Sequence, residues 1–179
     1  MLIVEKHYTD PEAHEALVAG LNRVLASRSD KPLFLCIGSE RHLLDSFGPL
    51  TGTLLEEKAP HILVCGTLDN PLHARNLSRE MLLIKSQCPG KIQIAIDASA
   101  GEEKELGMIK IKEGSLLPGK AFAKRLPPIG DYSIIGMLGT RVDRRTLKSS
   151  TTGSMKHVYQ MARLVSEVII DWSMRRNRI

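Results

Sequence analysis

Aromatic residues make up only 4% of the 179-residue chain, so its core has to be packed from Ile, Leu, Val, Ala and Met. Cysteine is scarce as well. Cys36, Cys65 and Cys88 are odd in number and show no CxxC spacing, which excludes a disulfide framework and a zinc ribbon and leaves three small hydrophobes of a reducing compartment. No apolar run approaches the roughly 20 residues that a membrane-spanning helix needs. The first residues carry acid within a helix-like pattern, with no basic stretch leading into an apolar one. Neither a membrane span nor a secretory signal is expected, and the expectation is a cytoplasmic protein.

Other signatures are missing too. The six histidines show neither HExxH nor any paired spacing, and the glycines near Gly38 form neither GxGxxG nor a P-loop with its lysine, so nothing points to a zinc protease or a nucleotide enzyme. The formal charge is +5, with a pI near 9.2. The excess lies partly in Arg175-Arg176-Asn177-Arg178 and partly between Arg141 and Lys148. Neither stretch is interleaved with the aromatics on which single strands stack, so a solvated surface is expected and a nucleic-acid partner is not.

What is present fits an ordinary globular protein, with 42% hydrophobic and 25% charged residues. The length fits a single domain over residues 1–179, since a domain of about 150 residues buries roughly 70% of its unfolded surface. Asp10-Pro11-Glu12 is a helix start, and Ala13, Leu17, Leu21, Val24 and Leu25 share one face, predicting a helix over 11–27. The runs 33–38, 62–65 and 91–97 are short and apolar without alternation, as expected of strands covered on both faces. Helical spacing follows from about Leu50 to 58, over 76–87, and from Ser154 to Met174. Residues 107–112 alternate as a half-exposed antiparallel or edge strand, and Tyr132–Leu138 reads as a further strand. Between them, Glu113 to Asp131 is a long loop punctuated by proline and glycine. This helix–strand alternation predicts an α/β fold with a largely parallel sheet.

Two aspartates, Asp45 and Asp97, each follow such a run and are expected just past the strand's C-terminal end, where open α/β sheets build their sites. Each has a simpler reading: Asp45 as the cap of the helix near Phe47, and Asp97 as the cap of a turn over Ala98-Ser99. Asp97 resists that reading, because a fully apolar run precedes it and only small residues follow, a partly dry setting in which a shifted pKa is expected. Two close carboxylates do not both ionise cheaply, so one serves as acid while the other acts as base toward water. His73 is the one histidine expected near the same sheet edge. Asp97-Ala98-Ser99-Ala100-Gly101 imitates a nucleophile elbow, yet it lacks the first glycine and a supporting helix.

A set of motifs carries a resemblance: Cys36-Ile37-Gly38-Ser39-Glu40-Arg41, Asp45-Ser46-Phe47-Gly48-Pro49-Leu50, Gly66-Thr67-Leu68-Asp69-Asn70-Pro71-Leu72-His73-Ala74, Ala95-Ile96-Asp97-Ala98, Leu117-Pro118-Gly119 and Leu126-Pro127-Pro128-Ile129-Gly130-Asp131. In this order they resemble the YyaC family of sporulation proteins, related to the germination protease of endospore-forming bacteria. The resemblance implies a three-layer α/β/α sandwich of the phosphorylase/hydrolase-like type, with a mostly parallel, mixed sheet. It also implies peptide hydrolysis at Asp45 and Asp97, with small acid-soluble spore proteins as substrates in a sporulating cell or spore interior. Glu40 and Arg41 would then shape the mouth of the cleft, with His73, Pro118 and Gly119 lining it. Related hydrogenase maturation proteases use equivalent acids with a histidine to contact a nickel ion of their substrate protein. The loop after Pro118-Gly119 carries Lys120-Ala121-Phe122-Ala123 and no histidine, so no resident metal or other cofactor is expected. The rivals are a non-catalytic peptide- or protein-binding member of the same fold and a processing protease of the hydrogenase maturation type.

Overall fold

The computed structural model describes residues 1–26, 31–118, 128–140 and 153–176. In chain order the elements are β1 (Leu2–His7), α1 (Ala13–Leu25), β2 (Leu33–Cys36), α2 (Phe47–Lys58), β3 (Leu63–Cys65), α3 (Leu77–Gln87), β4 (Gln93–Gly101), β5 (Met108–Glu113), β6 (Tyr132–Thr140) and α4 (Met155–Arg176). The six strands form one sheet in the order β1-β5-β6-β4-β2-β3. β3, β2, β4 and β6 run parallel, while β5 is antiparallel to both β6 and β1. The sheet is therefore mixed and mostly parallel.

Side-chain alternation along the strands divides the core into two layers. Phe34 and Cys36 of β2 and Ile94 and Ile96 of β4 face α1, α2 and α4, where Leu21, Phe47, Leu55, Met161 and Val165 close the larger core. Leu33, Leu35 and Ala95 point the other way, toward Leu77 and Ile84 of α3. Helices thus cover both faces of the sheet, giving the expected three layers. Aliphatic packing dominates, as the shortage of aromatics requires. All three cysteines are free; Cys36 is fully enclosed, which pushes its thiol well above the ordinary range, and Cys65 and Cys88 are half-buried.

Three expectations need correction. The N-terminal residues are not helix-like: they form β1, held at the sheet edge by five residue pairings with β5. β5 is antiparallel as expected, but it lies inside the sheet between β1 and β6. There Lys110 is buried between Glu5 and Glu105, with Glu5 3.0 Å away, so its charge is matched by two carboxylates. β4 does not end at Asp97 but continues to Gly101 against β6. α2 begins at Phe47, where the helix was expected to start. The basic stretch between Arg141 and Lys148 lies outside the described residues. No helix among the described residues is long and apolar enough to cross a membrane.

Candidate active site

The connection from β2 through α2 reaches β3 on one side of β2. The next connection, through α3 on the opposite face, returns past β2 to β4 on its other side. The direction in which strands are added to the sheet therefore reverses between the parallel neighbours β2 and β4, the kind of switch point where open α/β sheets leave a crevice at the carboxyl ends of their strands. β2 and β4 pair as far as Cys36 and Ile96, and the Ile37 amide adds a last bond to the Ile96 carbonyl at 2.8 Å. Beyond this β2 departs, whereas β4 runs on beside β6 from Asp97, opposite Ile135, to Gly101, opposite Thr140. Asp97 is thus the first residue of β4 past the end of its neighbour. It is inside a strand yet on the rim of the crevice.

Asp45 is brought to the same rim by the segment that leaves β2. It sits in a short 3-10 turn, Leu44–Ser46, leading into α2. It does not cap that helix: Ser46 precedes α2, no side chain caps it, and the Ser46 hydroxyl donates instead to the Leu43 carbonyl at 2.7 Å. The turn is held by backbone contact so close that glycine is required. Gly38 has φ +143°, and a Cβ there would lie 1.9 Å from the Asp45 carbonyl oxygen; a Cβ on Gly48 would lie 2.1 Å from the Ile37 carbonyl oxygen. The Ser39 amide then donates to the Asp45 carbonyl at 3.0 Å. The Asp45-Ser46-Phe47-Gly48-Pro49 motif has a mechanical reading from these contacts. Gly48 lets α2 settle on the end of β2, and Pro49 fits the first helical turn, where a missing N–H costs nothing.

The electrostatics set the two carboxyls apart. Asp97 is half-buried, its Oδ1 accepts the Ala98 amide at 2.8 Å, and its pKa is pushed up to about 8 from an ordinary 3.8. Desolvation is the main cause, the charge of Asp45 adds to it, and the Ala98 amide offsets part of it. Desolvation also raises Asp45, but His42, His73 and the Ser39 amide favour its ionised form. Asp97 therefore keeps its proton at neutral pH, while the rise of Asp45 is opposed by groups that Asp97 lacks.

His73 comes to the rim from the loop after β3, where Ile37 and Leu72 form an isolated parallel bridge. It shares a reciprocal lock with Asn76. The His73 amide donates to Asn76 Oδ1 at 2.9 Å, the Asn76 amide donates to His73 Nδ1 at 3.3 Å, and Asn76 Nδ2 donates to the Pro71 carbonyl at 2.9 Å. Nδ1 is engaged as an acceptor, which fixes the orientation of the ring. His73 thus both starts α3 and faces Asp45 electrostatically. Asn76→Ala is expected to lower unfolding stability by about 1–2 kcal/mol, the usual cost of losing two side-chain hydrogen bonds to the backbone. A urea titration checks this, and an unchanged midpoint would mean that the lock carries no energy.

The remaining candidates are less central. Glu40 and Arg41 are exposed and pair with each other at 3.2 Å, and Ser39 Oγ lies 3.4 Å from Glu40. Pro118 is buried just beyond an antiparallel bridge between Leu116 and Ile129, while Gly119 and Lys120–Ala123 lie outside the described residues. Ser99 lies within β4, and His157 is tied to Ser154 and edge-on to Tyr8, so no nucleophile elbow with its histidine is assembled. Two contributors escaped the sequence reading, His42 and Asn76. Each stands three residues from a residue already singled out, Asp45 and His73, a spacing that one helical turn or capping loop brings together.

Comparison with known proteins places the chain in a family. A family described as "Protein of unknown function (DUF1256)" matches residues 5–168. A Bacillus subtilis (strain 168) protein described as "Uncharacterized protein YyaC" is 35% identical over 133 residues, covering 73% of this chain and 65% of that relative's length. Among solved structures, a [NiFe] hydrogenase maturation protease, HycI from Thermococcus kodakarensis KOD1, is similar with 18% identity and a TM-score of 0.43, over 83% of this chain and 97% of its own.

Proposed function

We propose that this chain, which belongs to the DUF1256 family, is an endopeptidase that hydrolyses spore proteins through Asp45 and Asp97. One observation carries the reading: at the switch point of the sheet, a carboxyl held protonated to about pH 8 stands beside one that burial also raises but that two histidines and a backbone amide oppose. The reading assigns the acid's part in amide hydrolysis to Asp97 and the base's part to Asp45. Asp45 takes a proton from water as the water oxygen bonds to the scissile carbonyl carbon, and Asp97 gives its proton to the carbonyl oxygen. On collapse the C–N bond breaks, the amine leaves with the proton held by Asp45, and the new hydroxyl returns its proton to Asp97. Both carboxyls end as they began.

His73 and His42 both act through charge against the desolvation that raises Asp45, which favours its role as base. The likeness of the Asp45 and Asp97 motifs to those of the germination protease supports small acid-soluble spore proteins as substrates and the sporulating cell as the setting. The test incubates purified protein with small acid-soluble spore proteins across pH 4–10. Cleavage is expected to follow a bell, falling on the acid side as Asp45 is protonated and on the alkaline side near pH 8 as Asp97 loses its proton. Asp45→Asn should lower kcat/KM by about 100-fold to 10,000-fold. Unaltered cleavage by that variant, or a rate still climbing above pH 9, refutes the assignment. Binding without cleavage by the wild type would identify a recognition protein instead.

A further inference from the structure

The hydrogen-bond ladder between β2 and β4 is left unfinished on one side. The carbonyls of Ile92, just ahead of β4, and of Ile96 within it accept the amides of Leu33 and Ile37, so alternate residues turn their backbone groups toward β2. Ala98 is next in that series. Its amide is taken by Asp97 Oδ1. The donor that would continue the ladder, the Ser39 amide, is diverted to the Asp45 carbonyl. Among the described residues, no hydrogen bond reaches the Ala98 carbonyl. The register irregularity of β4 comes later, between Ser99 and Ala100, so it does not turn Ala98 away from the seam. Ala98 is half-buried, and the residues around it, Ser99, Ala100 and Gly101, are small enough for another backbone to approach.

We propose that the substrate binds as an extended strand in the place β2 vacates, one of its backbone amides donating to the Ala98 carbonyl. This rests on the hydrolytic reading and specifies its substrate: an unfolded or locally extended segment, not a helix. The occupant is a peptide because the open group is a ladder acceptor, continuous with the β2–β4 pairing and adjacent to Asp97. A strand laid there completes the ladder. Neighbouring residues are about 3.8 Å apart, so the anchored amide lies within a residue or two of the bond that Asp97 protonates. Side-chain demands next to the scissile bond are correspondingly weak on the side facing Ala98.

The test uses peptides tiling a small acid-soluble spore protein, each backbone amide other than the scissile one replaced in turn by an ester, which removes the N–H and keeps the shape. One position within two residues of the cleaved bond is expected to lose at least 10-fold in kcat/KM, and N-methylation there should lose as much. If every ester is cleaved within 2-fold of the parent peptide, strand addition at Ala98 is wrong while hydrolysis stands. If no parent peptide is cleaved, the hydrolytic reading falls, and fluorescence anisotropy of the same labelled peptides decides the strand. Position-specific ester loss in binding supports it, whereas uniform binding, or none, overturns it.

Discussion

Asp97→Asn is expected to give a protein that no longer hydrolyses its substrate and yet is more stable than the wild type at neutral and alkaline pH. Asparagine keeps the oxygen that accepts the Ala98 amide but cannot deliver the proton. The stability gain follows from linkage. The folded pKa of Asp97 is about 8 against an ordinary 3.8, so between those values the folded state holds a proton that the unfolded state has released. Wild-type stability from this group is complete below pH 4 and is lost progressively as pH rises toward 8, by a total on the order of 5 kcal/mol. The asparagine variant has nothing to titrate there. Denaturant midpoints at pH 4, 7 and 9 should diverge in the variant's favour, and parallel curves for the two proteins would show that Asp97 ionises without penalty. A group that destabilises the fold it sits in is more readily understood as part of a working site than as a packing element.

The second large effect is expected from Gly48→Ala, a change that in most helices would be stabilising. Here the new methyl would meet the Ile37 carbonyl oxygen at 2.1 Å and its nitrogen at 2.8 Å, both rigid backbone. α2 and the turn bearing Asp45 would have to lift off the end of β2, at a cost of about 3–5 kcal/mol. Gly90→Ala is the control. Its φ is +73°, but nothing lies within 4 Å of the added carbon, so only backbone strain of about 1–2 kcal/mol applies. Chemical denaturation of the two variants side by side tests this. Equal losses would mean that the contact with Ile37 relaxes easily.

Much of this architecture was legible in the sequence because the signals were local. The unbroken apolar runs of β2, β3 and β4 announced strands covered on both faces, and the apolar spacing of α1, α3 and α4 was close to their observed extents. What was hidden depended on partners. Leu2–His7 mixes Glu5 and Lys6 with aliphatics and shows no clean period; it becomes a strand because β5 is there to pair with it. Ala98-Ser99-Ala100-Gly101 looks like a turn by composition, but the continuing ladder of β6 keeps it extended. That error misplaced the end of β4 by four residues, from Asp97 to Gly101, without moving Asp97 from the crevice, since the crevice is set by where β2 stops. The helix-cap reading of Asp45 failed for a similar reason. Gly38 and Gly48 fix the turn through contacts with residues outside it.

The position of β4 between β2 and β6 governs when the Asp97 carboxyl acquires its raised pKa. On the ribosome Asp45 emerges long before β6 exists to flank β4, and in an open chain the Asp97 carboxyl is an ordinary surface acid, ionised and useless as a proton donor. Its acidity is reset only when neighbours close around it. The central strand thus ties the proton on Asp97 to completion of the sheet.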